Sequence, residues 1–558
     1  MPRDRQTSAP PARHETGPAS AARRPTKPGQ LPGPDGLPEA RKLRGPNNVE
    51  LVEFSLRLRL VTPVFGGGYR ARQLDDVDRV RVPTVRGHLR FWWRALHGHE
   101  HVTAKGLFDA ESALWGGTSG EQGRRSPAEL RITLVRPEAG SVDRSDVSWK
   151  TLGAYALWPA RAEKKNGGGD GGGSGRSGRG PGADRGDDAN GEPAPRLLPG
   201  LTFVLTVRCP RDRETEVRNA IRAWLLFGGY GGRTRRGSGS LTVVDEPSAG
   251  PGGSRSAWLP RAATREAMRE LFDGIDIFAP PSHPASVGDT PWLAGATLSL
   301  RTTPADGAEK AWLQALDWLR DFRQGAPPRR LDQGKGRTMT QGRADPTPPG
   351  AAAGDDGDAT YARRSGSDPK RPGISNWPEP DKVRHFSTPS LGPWAHDPGR
   401  HNQVAAWPRA GFGLPIIGRF QQKDRNDKFW RASGCCEPDD YQLLWRDPVP
   451  PAARANEPTA PRERLASPVI VKALPLSGGR FVPCALWLNR AYPQGEVGLY
   501  RKRGGPLELV PGSGAPFGRL VAPGDEVFFL ALRDKASLRQ AFLDWLRDER
   551  KCDQRVAP

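Results

Sequence analysis

Apolar and polar positions alternate over residues 49–61 (Val-Glu-Leu-Val-Glu-Phe-Ser-Leu-Arg-Leu-Arg-Leu-Val), a period of two that predicts a half-buried strand. Pro63 ends the run, and Gly66, Gly67 and Gly68 predict a turn. The period then changes. Val85, Leu89, Trp92, Trp93 and Leu96 fall on one stripe of a helix that Thr84 is placed to cap, and Arg86, Arg90, Arg94 and His97 fill the adjoining stripe. Strands are predicted at 129–135, 201–207 and 241–244, and a second amphipathic helix runs through Val217, Ile221, Trp224 and Leu225. Strand, helix, strand, strand, helix, glycine loop, strand is the order of a ferredoxin-like βαββαβ unit, which sets an N-terminal domain at 49–245.

Further along, a short strand at 298–301 and a helix at 311–322 occupy a connecting region, 246–324. Apolar runs at 414–420, 468–474 and 482–488 and a last helix at 536–546 predict a second α+β domain over 374–550. Three segments break the pattern. Residues 1–48 are proline-rich without aromatics and read as a disordered basic tail, 163–196 as a flexible glycine-rich insertion, and 325–373 as a flexible linker.

Composition adds a partner class. The chain has 558 residues, with 84 Lys and Arg against 63 Asp and Glu, for a net charge of +21. Arginine supplies most of the positive charge, and its planar fork matches phosphate. A nucleic acid is therefore one expectation, and the codon bias of a GC-rich genome is the other. No apolar run of about 18 residues predicts a membrane span, and the first residues lack the apolar core of a secretory signal, so a soluble cytoplasmic chain is expected. Five cysteines without a C-x-x-C pair (Cys209, Cys435, Cys436, Cys484, Cys552) read as reduced thiols.

Two constellations suit phosphate. The first is the Arg86, Arg90, Arg94 stripe beside Trp92 and Trp93, since guanidinium rows bind phosphates and aromatic faces stack on bases. The bland alternative is a helix packed through its tryptophans with solvated arginines. The second is the loop at 228–240, where Gly228, Gly229, Gly231, Gly232 and Gly237 interleave with Arg233, Arg235 and Arg236. Glycine lets backbone amides approach a phosphate closely, and the spacing is that of neither a P-loop nor a dinucleotide fingerprint. His97, His99 and His101 alternate past a helix end, where cations are favoured anyway, so no metal or cofactor is expected. His88 is either a general acid/base or a packed imidazole, and the acids Asp75, Asp76 and Asp78 read as a solvated turn.

The motifs resemble a known family. Thr62-Pro63-Val64-Phe65-Gly66-Gly67, followed by Val82-Pro83-Thr84-Val85-Arg86-Gly87-His88-Leu89-Arg90-Phe91-Trp92-Trp93-Arg94, is similar to the N-terminal signature of the first-numbered subunit of the Cmr complex. That complex is the type III-B CRISPR effector, and the subunit belongs to the RAMP superfamily. Glu111 with Leu114-Trp115-Gly116, the 228–240 loop, Trp377-Pro378-Glu379-Pro380-Asp381-Lys382-Val383-Arg384, Gly411-Phe412-Gly413-Leu414-Pro415-Ile416 and Arg464-Leu465-Ala466-Ser467-Pro468 resemble further blocks in the correct order.

The resemblance implies two ferredoxin-like RAMP domains and a non-catalytic RNA-binding role in antiviral defence. It implies contact with the crRNA 3′ region and target RNA, beside other RAMP subunits and a large polymerase-like subunit. Two other readings stay open. One is a metal-independent endoribonuclease that processes crRNA through His88. The other is an architectural subunit that holds its neighbours by protein contacts alone.

Overall fold

The computed structural model describes residues 49–70, 72–75, 77–117, 123–135, 141–148, 150–162, 191–244, 257–282, 290–324, 377–387, 404–418, 440–446, 464–502, 507–525, 530–552 and 554–556. The 1–48 and 325–373 segments lie outside the described residues, as do 163–190 of the expected insertion, Asp76, Cys435 and Cys436.

The alternating run forms β1 (Leu51–Leu60), followed by α1 (Val82–His97), α2 (Ala104–Trp115), β2 (Glu129–Leu134), β3 (Thr202–Pro210), α3 (Glu214–Phe227) and β4 (Leu241–Val243). The strands make one antiparallel sheet in the order β2-β3-β1-β4. In β1, Leu56, Leu58 and Leu60 are buried while Arg57 and Arg59 between them are exposed, as the period of two requires. Helix α1 starts two residues before Thr84. Arg81 stands at its N-cap with no side-chain hydrogen bond, and Pro83 in the first turn has no amide to leave unsatisfied.

The next stretch differs from expectation. Residues 292–324, read from sequence as part of a connection, supply β5 (Trp292–Leu300) and α4 (Gly307–Gln324). After them come α5 (Glu379–Ser387), β6 (Ile416–Gly418), β7 (Tyr441–Arg446), β8 (Val469–Leu476), β9 (Arg480–Asn489), β10 (Glu496–Lys502), β11 (Leu507–Leu509), α6 (Leu538–Asp548) and β12 (Gln554–Val556). Strand β5 pairs with β9 and β12, giving an antiparallel sheet in the order β8-β9-β5-β12. Taken in chain order, its strands sit second, third, first, fourth, the same arrangement as in the first sheet. The remaining strands form a separate antiparallel sheet, β11-β10-β7-β6.

The second sheet is buried on both faces, so its strands read as continuous apolar runs. Ile470, Leu474, Val482 and Leu486 join the core built on β1, β3, α1 and α3. Val469, Val471, Ala485 and Trp487 join the core of α4 and α6. Residues 51–558 thus cluster into one compact unit. Where the sequence predicts an insertion ending at 196, Arg196 is fully buried in a short strand and pairs with Asp143 at 2.5 Å.

The C-terminal sequence blocks converge. Leu414 and Leu465 exchange backbone hydrogen bonds, Glu379 accepts from the Arg409 amide, Lys382 pairs with Asp525 at 2.7 Å, and Trp377 Nε1 donates to the Phe322 carbonyl. Each fixes a buried polar group, so these short motifs carry packing.

Candidate nucleic-acid interface

Helix α1 lies between the sheets. Trp92 and Trp93 are buried, and Trp93 Nε1 donates to Glu216 on α3. The arginine stripe divides. Arg90 Nε and Arg94 NH1 both donate to Glu111 Oε1 of α2, at 2.6 and 2.5 Å, while the carboxylate itself is buried. One acid therefore holds two guanidiniums, which fixes α2 against α1. Glu111→Gln is expected to cost about 1–3 kcal/mol in urea unfolding, because a buried charge-assisted contact is lost on both sides. Arg86 makes no such pair, and its Nε is buried without a hydrogen-bond partner.

His88 stacks on Trp224 at 6.3 Å and meets Tyr230 edge-on. Burial holds its imidazole down to about 4, so at neutral pH the ring is uncharged. His97 Nδ1 lies 3.2 Å from Glu100, and the described residues contain no group of three metal-ligating side chains. Asp75 accepts the amides of Val77 and Asp78 and pairs with Arg81, an arrangement that closes a turn. Cys209 and Cys484 are buried free thiols, and Cys552 is a half-buried one.

The glycine loop leaves α3 at Gly228 and is pinned on three sides. Gly232 donates to the Phe65 carbonyl, Gly239 to Pro63, and Tyr230 to Gly239; Thr62 Oγ1 donates to the Gly237 carbonyl. The sequence expectation that the glycine amides serve a ligand meets a correction here. The amides of Gly228, Gly232 and Gly237 are spent on Trp224, Phe65 and Thr234 carbonyls. These glycines permit close approach instead. A Cβ at Gly228 would stand 2.5 Å from Trp92 Nε1, at Gly229 2.8 Å from the Gly239 carbonyl, and at Gly231 2.7 Å from Val64. Gly237, at φ +74°, packs its Cα face on Trp312 of α4, whose Nε1 donates to the Arg236 carbonyl at 2.7 Å.

The loop arginines are what remains for a ligand. Arg233 is exposed in the left-handed region at φ 60°. Arg235 lies over Phe91, and Arg236 is 9% exposed. NH1 of each of the last two is buried without a hydrogen-bond partner. Burial lowers the guanidiniums of Arg235 and Arg236 to about 10.

Sequence reasoning missed Lys472 on β8. Its Nζ is fully buried and donates to the carbonyls of Leu225 and Gly228, capping the end of α3 where the loop begins. A single charge inside Val-Ile-Val-Lys-Ala-Leu was the available signal.

No described helix is long and apolar enough to cross a membrane. No curated protein matches the chain. Among solved structures it is similar to Cmr1 from Pyrococcus furiosus in its apo form, at 14% identity over 80% of this chain and 90% of that one, with a TM-score of 0.37. It is also similar to a chain of the type III-B Cmr-beta bound to cognate target RNA, at 11% identity over 79% and 94%, with a TM-score of 0.35. A family model of the RAMP superfamily matches residues 57–242, from β1 through α1 and the glycine loop to β4. Over that segment the chain is similar to the RAMP superfamily.

Proposed function

We propose that the chain is a non-catalytic RNA-binding subunit of a type III-B CRISPR effector of the Cmr kind. In this reading each βαββαβ set is a ferredoxin-like RAMP domain, and the loop between α3 and β4 tracks the RNA backbone. The RNA is the crRNA 3′ region with its target, the partners are the other RAMP subunits and the large polymerase-like subunit, and the setting is antiviral defence in the cytoplasm.

The observation that carries the RNA role is the pair of buried, unpartnered guanidinium nitrogens on Arg235 and Arg236, in a loop with no acidic residue. A buried cation without a carboxylate is expensive, and a phosphate supplied from outside removes that cost. The family match over 57–242 and the order of the sequence blocks support the RAMP and Cmr parts of the reading. The stacked His88, uncharged at neutral pH, has no imidazolium proton to give as a general acid.

Replacing Arg233, Arg235 and Arg236 together by alanine is expected to weaken RNA binding and flatten its salt dependence. The slope of log K against log salt should fall by about 2, at ~0.7 for each phosphate contact to a single strand. A slope equal to that of the unaltered protein would overturn the assignment.

A further inference from the structure

Among the described residues only two aromatic side chains are exposed, Phe108 at 38% and Tyr69 at 69%. A lone exposed ring needs no explanation by itself. Tyr69 differs because a built turn holds it out and a cation is already seated on it. The Arg70 guanidinium lies over the Tyr69 ring, 5.3 Å from its centre.

The turn is fixed from within. The Gly68 amide donates to the Gln73 carbonyl at 3.0 Å, the Gln73 amide donates to the Arg70 carbonyl at 3.4 Å, and Arg72 takes φ 68°. Tyr230 of the glycine loop then ties the ends of the segment together. Its hydroxyl donates to the Gly67 carbonyl at 3.3 Å and accepts from the Arg81 amide at 3.0 Å. The acid Asp75 is engaged by the amides of Val77 and Asp78 and by Arg81. Arg72 donates to the Arg161 carbonyl at 3.2 Å, and the Arg161 guanidinium lies over the Trp158 ring at 4.6 Å, so a second arginine-on-aromatic stack adjoins the first.

The turn also touches the loop. A Cβ on Gly67 would stand 3.4 Å from the Gly231 Cα. Tyr69 and the exposed Arg233 each lie two residues beyond that contact, about 7 Å of extended chain. A short stretch of one strand reaches both.

Resting on the RNA-binding reading above, we propose that Tyr69 is a stacking platform for an unpaired base of the strand whose backbone the glycine loop holds. Arg70 occupies one face of the ring, and the base takes the other. Every base has a π-face, so the platform reads no sequence, and a purine gains more from it than a pyrimidine because its face is larger. The arginine behind the ring adds a favourable cation–π contact.

The test uses the full chain with two fluorescein-labelled probes of equal length, an oligoadenosine and an abasic strand that keeps the phosphates without bases. Tyr69→Ala is expected to weaken oligoadenosine binding at least about fivefold, the low end of what one base gains by stacking on an aromatic ring. It should leave the abasic affinity and the slope of log K against log salt unchanged, because no charge is removed. Tyr69→Trp should restore the affinity. The thermal midpoint without RNA should hold in both variants, since the ring is exposed.

Oligoadenosine bound by Tyr69→Ala as tightly as by the unaltered chain would sink the platform, and a flattened slope in the triple loop variant would leave the loop reading standing beside it. An equal loss on both probes, or a lowered midpoint, would make Tyr69 a structural part of the turn, which also sinks it. An unaltered chain with no affinity for either probe would remove the RNA reading itself.

Discussion

Gly239→Ala is expected to collapse the glycine loop, with a stability loss of about 3 kcal/mol or more and loss of RNA binding with it. Gly239 sits at φ +66°, where an L side chain is strained by about 1–2 kcal/mol. Its Cβ would also fall 1.9 Å from the Tyr230 carbonyl oxygen, a backbone atom that cannot swing aside. The same residue donates to Pro63 and accepts from Tyr230, so moving it breaks one hydrogen bond to the turn after β1 and one that closes the loop on itself. Gly274→Ala provides the comparison. Gly274 has φ +86° and nothing within 4 Å of an added Cβ, so its variant should show the strain alone. Urea midpoints that fall equally in the two variants would refute the packing account.

The second large effect is a pH dependence. Lys472 is fully buried beside the Cys484 thiol, and burial lowers its ammonium to about 7, against about 10.4 in an unfolded chain. Between those values the folded protein binds fewer protons than the unfolded one. Stability therefore rises with pH from about 7 upward, by up to ~1.4 kcal/mol per unit. Cys484 and Cys209, both pushed up to about 12 by burial, work in the opposite direction above about 8.5, where unfolded thiols ionise. His88 acts below about 6.5, where stability falls as the pH drops towards 4. The window from about 7 to 8.5 therefore belongs to Lys472. Lys472→Met should flatten the stability profile there, measured by urea unfolding at several pH values. A slope equal to that of the unaltered protein would show that the lysine is not the titrating group.

The first sheet was legible because one of its faces meets solvent. Leu56, Leu58 and Leu60 alternate with Arg57 and Arg59, and the period of two survives in the sequence. The second sheet hides that period, since β8 and β9 are buried on both faces, and β5 begins six residues before the run at 298–301. Its partner strands lie far along the chain, beyond the 325–373 segment, so local pattern could not show that β5 and α4 belong with β8 and β9.

The site divides in the same way. The interleaving of glycine and arginine at 228–240 marked the loop from sequence alone. The pairing of Arg90 and Arg94 with Glu111, and the capping of α3 by Lys472, depend on residues brought together by the fold. Within the loop, the amides of Gly232 and Gly239 are claimed by carbonyls of the turn after β1, and those of Gly228 and Gly237 by carbonyls of α3 and of the loop itself.

The lysine that caps α3 also sets an order of events during synthesis. It lies 247 residues after the Leu225 carbonyl it satisfies and 244 after that of Gly228. A ribosome adding about 5–20 residues per second needs roughly 12–50 s to cover that distance. Through that interval the nascent N-terminal half holds a helix end without its cap and an apolar helical layer without the sheet that covers it. This is the kind of surface that chaperones retain and that aggregates when synthesis stalls. Truncation before residue 472 should therefore yield a chain that holdases capture, with the glycine loop unfinished.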